Sequence, residues 1–150
     1  MTARSVVLAA LVAGCGFAPA LAPPDGGALP SYRLAEPASR AEFLFRAALE
    51  DRLGPAAPDA PLLSWGLSVS QSVVAVSQRE NARRVQENGA VAWRVTDGAG
   101  TVIAAGREEG FTAWSPTGTT LSVRAAQRDA EARLMRLLAD RTVTALIAAR

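Results

Sequence analysis

The residues of this 150-residue chain that could carry out chemistry form a short and unusual set. All sixteen basic residues are arginine, histidine is absent, and the single cysteine is Cys15. Histidine is the commonest general base and the commonest metal ligand, so its absence removes the usual means of acid–base catalysis and of metal binding. One cysteine can form neither an internal disulfide nor a cysteine-based zinc site. An enzyme would therefore lack its usual catalytic groups, and we predict neither a metal nor a cofactor.

Three patterns that could indicate an enzyme have simpler structural interpretations. The serines at positions 64, 68, 70 and 72 have no histidine partner, which excludes a Ser-His-Asp triad. The stretch "GAG" at 98–100 precedes a strand pattern instead of a helix, so it predicts a hairpin turn and not a dinucleotide-binding loop. Glu108 and Glu109 are adjacent, and on a strand they would point to opposite faces.

Cys15 ends an N-terminal segment, "MTARSVVLAALVAGC", with the features of a secretory signal. Arg4 precedes an apolar run over residues 6–12, and two small residues separate that run from the cysteine. The run is too short to cross a bilayer as a helix. Its end, "VAGC", resembles the lipobox of bacterial lipoproteins, in which the cysteine is acylated and begins the mature chain. We expect residues 1–14 to be a signal peptide and Cys15 to be a lipid anchor.

The rest of the chain is predicted to be a tether and one folded domain. Residues 15–30 are rich in Pro, Ala and Gly, which is typical of a flexible linker. Residues 31–150 are expected to form a single α+β periplasmic domain. Gly16, and not Asp, follows the cysteine, which by likeness to bacterial lipoproteins favours the outer membrane. The net charge is only +2, so no nucleic-acid partner is predicted.

Two helices are predicted from capping signals and hydrophobic spacing. Ser39 and Glu42 form a capping box, and Gly54 followed by Pro stops the pattern, which predicts a helix from Arg40 to Leu53. After "SPTGTT" at 115–120 the chain has neither Gly nor Pro, and apolar residues recur at helical spacing. A second helix of about 28 residues, about 42 Å long, is expected there.

The segment between the helices predicts a three-stranded meander, with an earlier short extended piece at 31–34. Alternating residues indicate one strand from Leu63, with a bulge expected near Val73, and a second over residues 83–96. "DGAG" at 97–100 predicts a hairpin into a third strand over residues 101–112. Trp65 and Trp93 lie at apolar positions of these strands. The predicted fold class is α+β, with two helices packed on one face of a small, mostly antiparallel sheet (an α/β sandwich) whose Ser- and Arg-rich face is free.

The mature chain resembles the lipopolysaccharide-assembly lipoprotein family LptE. The resemblance rests on the lipobox "CGF", the capped helix, the Ser-rich strand, "WRVTDGAGTVIAAG", "AWSPTG" and the closing "AAQRDAEARLMRLLADRTVTALIA". It implies an α/β sandwich at the outer membrane that sits in the lumen of a large β-barrel partner, LptD, and helps deliver lipopolysaccharide. It also implies a protein that is not an enzyme.

Three arginines near the first hairpin turn are the candidates for contact with lipopolysaccharide or the barrel: Arg79, Arg83 and Arg84. The planar guanidinium pairs with phosphate through two hydrogen bonds, which suits a phosphorylated glycolipid. Charged hairpin turns also serve solubility alone.

One alternative function remains open, since size and architecture do not separate it from the first. The chain could be an auxiliary periplasmic lipoprotein of an ABC-type phospholipid transporter.

Overall fold

The computed structural model describes residues 31–75 and 83–149, without the side chains of Ala75 and Arg83. Strand β1 (Arg33–Leu34) precedes helix α1 (Arg40–Leu53), and a second, long helix α2 (Thr120–Ala148) closes the chain. Between the helices lie β2 (Leu62–Ala75), β3 (Arg83–Thr96) and β4 (Val102–Trp114). The four strands form one sheet in the order β1-β2-β3-β4. The predicted α+β fold class is confirmed.

Helix α1 begins and ends at the predicted residues because its caps are encoded locally. The Ser39 hydroxyl accepts a hydrogen bond from the Glu42 backbone N–H at 3.2 Å. The Glu42 carboxylate accepts one from the Ala38 N–H at 2.7 Å, which satisfies two donors that have no partner inside the helix. Gly54 ends the helix with a φ of 72°, a conformation that costs glycine little.

The sheet is mixed, since β1 runs parallel to β2 while β2, β3 and β4 pair antiparallel. The pairing of β2 with β3 continues without a shift from Leu62–Thr96 to Ala75–Arg83, so the bulge predicted near Val73 was wrong. The irregularity lies instead on β4, where Thr96 pairs with Val102 and Val95 pairs with Ala104. The alternation near Val73 blurs because that part of β2 extends past the core, where Val73 is 68% exposed.

Both helices cover the same face of the sheet, which confirms the predicted layering. The buried residues of β3 lie at alternate positions and meet those of the two helices in one core cluster. The fully buried side chains of this cluster are Phe45, Leu49, Leu63, Val91, Val95, Leu134, Met135 and Leu138. Trp93 is also buried and Trp65 packs against the cluster, so both tryptophans lie at the core as predicted.

Helix α2 lies close to the sheet because glycines face it. A Cβ at Gly89 would stand 2.9 Å from a Leu138 methyl carbon, and one at Gly110 would stand 3.0 Å from a Leu137 methyl carbon. The leucine side chains fit against the sheet because the two strand positions that face them are glycines and have no side chain. The buried Thr142 hydroxyl donates to the Leu138 carbonyl at 2.9 Å, so this hydroxyl is buried with a hydrogen-bond partner.

Ion pairs on the outside show how the two helices are oriented. Arg40 near the start of α1 pairs with Glu131 at 3.2 Å, and Arg52 near its end pairs with Asp140 at 2.7 Å. The two helices therefore run in the same direction. Arg46 bonds to Glu50 and to Glu36, and these contacts, the Glu50 hydrogen bond first, raise the pKa of Arg46. Exposed pairs of this kind each contribute only about 0–1 kcal/mol.

Candidate functional site

The face of the sheet opposite the helices is polar and built mainly from small side chains. Alternate residues of each strand point to it, as the register requires. The exposed members are Gly66, Ser68, Ser70, Ser72, Val74, Arg84, Ala92, Arg94, Val102, Ala105, Arg107, Glu109 and Phe111. We call this surface the free sheet face.

The free sheet face carries few strong interactions of its own. The Arg107 guanidinium pairs with Glu109 at 3.0 Å, and Gln86 donates to the Asn88 side chain at 2.7 Å. A cavity of about 480 Å³ lies against Ser68, Ser70 and Phe111. Phe111 is 63% exposed, so the surface presents an apolar side chain beside hydroxyls and charges. Such a surface is better suited to packing against another polar surface than to catalysis.

A second site lies on the helix side, between α1, the start of α2 and β3. A cavity of about 350 Å³ is lined there by Arg40, Glu87, Arg124, Gln127, Arg128 and Glu131, and we call it the arginine cleft. Its three arginines and two glutamates leave a net charge of +1. Arg40 is paired with Glu131, whereas Arg124 and Arg128 have no ion-pair partner among residues 31–75 and 83–149.

Glu87 forms the floor of the arginine cleft and is 4% exposed. One carboxylate oxygen accepts a hydrogen bond from the Gln71 amide at 3.2 Å, and the other has no partner within the described part of the chain. A buried carboxylate oxygen without a partner is costly, so it favours an internal donor such as a buried water molecule. The arginines that line the cleft above it give the cleft a charge that suits an anion.

The arginine cleft was missed at the level of sequence, although one signal pointed to it. Glu87 lies on the same face of β3 as Val85 and Val91. The sequence therefore places a charged residue where the alternation of the strand predicts an apolar one. Arg124 and Arg128 are four residues apart, a spacing that puts both on one side of a helix. Only the packing of α2 against β3 brings the two signals together.

The sequence-predicted site residues lie outside the cleft or outside the described residues. Arg84 is exposed on the free sheet face. Arg83 begins β3, four residues before Glu87, which places its backbone about 13 Å from that of Glu87 along the strand. Cys15 and Arg79 fall outside the described residues, and so does the first hairpin turn, which the sequence predicts near residues 80–81, between the first two long strands. The expected contact of these arginines with lipopolysaccharide or a barrel stays a prediction.

The described residues, 31–75 and 83–149, contain neither a metal-binding cluster nor a membrane-spanning helix. No group of three or more Cys, Asp or Glu side chains there is arranged to hold a metal ion. Neither helix there is both long and apolar enough to cross a membrane. Glu108 and Glu109 lie on opposite faces of β4, half-buried and exposed respectively, as predicted.

Two helices on one face of a four-stranded mixed sheet, with a polar opposite face, define a class of small α+β proteins. A candidate lipoprotein of Caulobacter crescentus CB15 is 22% identical over 81% of this chain and 91% of that one, with a TM-score of 0.63. Rare lipoprotein B of Shewanella oneidensis is 16% identical over 79% and 92%, with a TM-score of 0.55. A minor lipoprotein of Acinetobacter baumannii is 13% identical over 79% and 89%, with a TM-score of 0.59. At these identities the likeness is one of fold.

The sequence itself shows the family. The pattern of the family described as "LptE: Lipopolysaccharide-assembly" matches residues 29–146, which is most of the chain. The chain therefore belongs to the LptE family of lipopolysaccharide-assembly lipoproteins of the cell envelope. The resemblance inferred from the sequence is confirmed. No curated protein matches the chain.

Proposed function

We propose that this protein is held at the periplasmic side of the outer membrane by acylated Cys15. There it partners and plugs the β-barrel LptD and so assists the assembly of lipopolysaccharide at the outer membrane. Family membership supports the role in lipopolysaccharide assembly. On this proposal the protein acts by binding a barrel and a glycolipid, and not by catalysis.

The free sheet face is the observation that carries the barrel partnership. The interior of an outer-membrane barrel is polar and wet, so a plug must present a polar surface to it. The free sheet face offers serines from β2 and small residues from β3 and β4, with Ala92 and Ala105 among them. Because these small side chains project little from the sheet, a barrel wall can approach the sheet closely where they lie.

Affinity purification of the tagged, full-length lipoprotein from detergent-solubilised outer membranes tests this partnership. We expect mass spectrometry to identify a large β-barrel in near one-to-one ratio with the wild-type chain. Ala92→Trp adds a bulky group to the free sheet face and should lower the recovered barrel several-fold. The matched control is Ala125→Trp, which makes the same change at an exposed position of α2 and should leave recovery unchanged.

Other results of the same purification would contradict the proposal. Recovery of inner-membrane transporter subunits in place of a barrel would favour the auxiliary-lipoprotein alternative. Equal recovery of the barrel with Ala92→Trp and Ala125→Trp would show that the free sheet face is not the contact surface.

The arginine cleft is the proposed contact for the phosphorylated part of lipopolysaccharide. Arg124 and Arg128 can each pair with phosphate, and the partly exposed Glu131 carboxylate can accept a hydrogen bond from a sugar hydroxyl. The two interactions require a ligand that carries both groups, which a phosphorylated glycolipid does. The hairpin arginines at 79, 83 and 84 are a second, separate candidate for the same ligand.

Removing one arginine of the cleft should weaken glycolipid binding by at least about ten-fold, because a hydrogen bond to a charged group contributes about 1.5–3 kcal/mol. The measurement is titration of the full-length lipoprotein in detergent with fluorescent lipopolysaccharide. Arg128→Ala is compared with Arg136→Ala, an exposed arginine of α2 outside the cleft, so that net charge and helix propensity change equally.

Two further results decide between the candidate arginine sites. A ten-fold loss in the triple Arg79→Ser, Arg83→Ser, Arg84→Ser variant, with none in Arg128→Ala, would move the contact to the hairpin. Equal affinity for Arg128→Ala and Arg136→Ala would contradict the cleft as the binding site.

A further inference from the structure

The two edges of the sheet differ in how well they are protected from pairing with another strand. Strand β4 carries three consecutive charges at 107–109. Two arginines of α2 also donate to its backbone: Arg141 to the Glu109 carbonyl, and Arg133 to the Ala113 carbonyl at 3.3 Å. Charges and covering groups of this kind prevent another strand from adding to an edge.

In the part of the chain that the structure describes, strand β2 has no such protection over most of its length. Within residues 31–75 and 83–149, only β1 pairs with its outer edge, at Leu62 and Leu63. The fourteen residues of β2 contain neither a charge nor a proline. All residues from 66 to 74 are exposed except the half-buried Leu67. A long, uncharged, unpaired edge is a template for a further strand.

The direction of the β2 backbone groups follows from one hydrogen bond. The Leu63 carbonyl accepts from the Ala35 N–H at 3.0 Å, on the β1 side. Backbone groups alternate along a strand, so the odd-numbered residues of β2 present their N–H and C=O groups outward. From position 65 to position 75, these groups form the unpaired outer edge.

We propose that the outer edge of β2 joins two copies of this chain as antiparallel strands, related by a two-fold axis at Gln71. In this register, Gln71 of one copy lies opposite Gln71 of the other, and Val69 lies opposite Val73. All the paired backbone groups are outward-facing ones, so each finds a partner. The pairing makes one continuous sheet that is six strands wide, in which β1 of each copy lies on the same edge of β2 as the second copy.

The sequence of β2 is complementary to itself in this register. Val69 and Val73 are 40% and 68% exposed and lie two residues on either side of Gln71, so the axis places each valine against a valine. Such branched cross-strand pairs stabilise a sheet. No like charges meet, because the strand has none. A second copy therefore fits the edge better than a charged partner strand would. The inference rests on the fold alone and not on the proposed function.

Register-specific disulfides test the pairing with the full-length chain purified in detergent. Ser70 of one copy lies opposite Ser72 of the other, at a non-hydrogen-bonded position where Cα atoms are about 4.5 Å apart, within disulfide range. We expect a mixture of Ser70→Cys and Ser72→Cys chains to form an oxidised dimer. In the control mixture, Ser68→Cys with Ser70→Cys, the thiols lie about 13 Å apart and should give at least ten-fold less dimer.

Two further measurements control for a link through Cys15 and test the role of the β2 backbone. Oxidised wild-type chain reports any link made by Cys15 itself. Val73→Pro removes an outward N–H that has no partner in β3, so it should abolish the dimer seen by analytical ultracentrifugation while circular dichroism stays unchanged. Val73→Thr, which keeps the N–H, should leave the dimer intact.

Each contrary result overturns the proposal in a distinct way. Equal cross-linking in both mixtures means association without this register. A monomer at all concentrations, with no link in either mixture, means that the edge does not pair with a second copy. A one-to-one barrel complex together with that monomer would leave the proposed function standing while the pairing fails.

Discussion

We expect Phe45→Ala to lower the free energy of unfolding by about 3–5 kcal/mol, the range for removing a large buried aromatic side chain. Phe45 is fully buried in the core between α1 and the sheet. Its ring meets that of Trp65 edge to face, with centroids 5.4 Å apart and an interplanar angle of 73°. Loss of this aromatic pair adds to the loss of buried area. Denaturant unfolding of the full chain gives the measurement.

The matched control stands two residues earlier on the same helix. Phe43 is 62% exposed, so Phe43→Ala makes the same chemical change with little loss of burial. It also brings the same gain in helix propensity, which cancels in the comparison. We expect a change within about 0.5 kcal/mol, as for surface substitutions in general. Equal losses from the two variants would contradict the packing described for α1.

The second large effect is expected at Gly106, where a single methyl group has no room. A Cβ there would stand 2.5 Å and 2.7 Å from two indole carbons of Trp93. Trp93 is only 4% exposed, so its ring has little freedom to move aside. We expect Gly106→Ala to cost about 1–3 kcal/mol of unfolding free energy, as overpacking does. Thermal or denaturant unfolding provides the measurement.

Gly66→Ala is a control for which we expect the free energy of unfolding to change in the opposite direction. Gly66 is also a strand glycine without a positive φ, but a Cβ there would meet nothing within 4 Å. Gly66→Ala should therefore stabilise the protein by about 0.4–1 kcal/mol, because alanine restricts the unfolded chain. A double-mutant cycle adds a further check: in a Trp93→Leu background, Gly106→Ala should cost much less than it does alone. An unchanged cost in that background would show that the indole is not the obstacle.

The elements with local signals could be read from the sequence with accurate bounds. Helix α1 follows from Ser39, Glu42 and Gly54, which act within a few residues of the chain. The long α2 and the turn at 97–100 follow from equally local patterns. The alternation of β3 predicted its buried face because one side of the strand faces the core along almost its whole length.

The features that depend on distant contacts could not be read in this way. The register shift lies between Val95 and Thr96 and not near Val73, because strand pairing depends on the partner strand. Val69 shares the strand alternation of Leu63 but is exposed, since the helices do not cover that part of β2. The alternation states which residues share a face, and not how far the covering layer extends.

The sequence by itself determined the family, the two helices, the three long strands and the arginine-only basic set of this protein. Those properties reside in residue types and short spacings, where each signal acts on its own neighbours. Only the tertiary structure decided that Glu87 meets Arg124 and Arg128 in one cleft. It also decided that, among the described residues, arginines of α2 cover the β4 edge while most of the β2 edge has no pairing strand. Both depend on where α2 lies against the sheet, which is set by contacts between residues far apart in the chain.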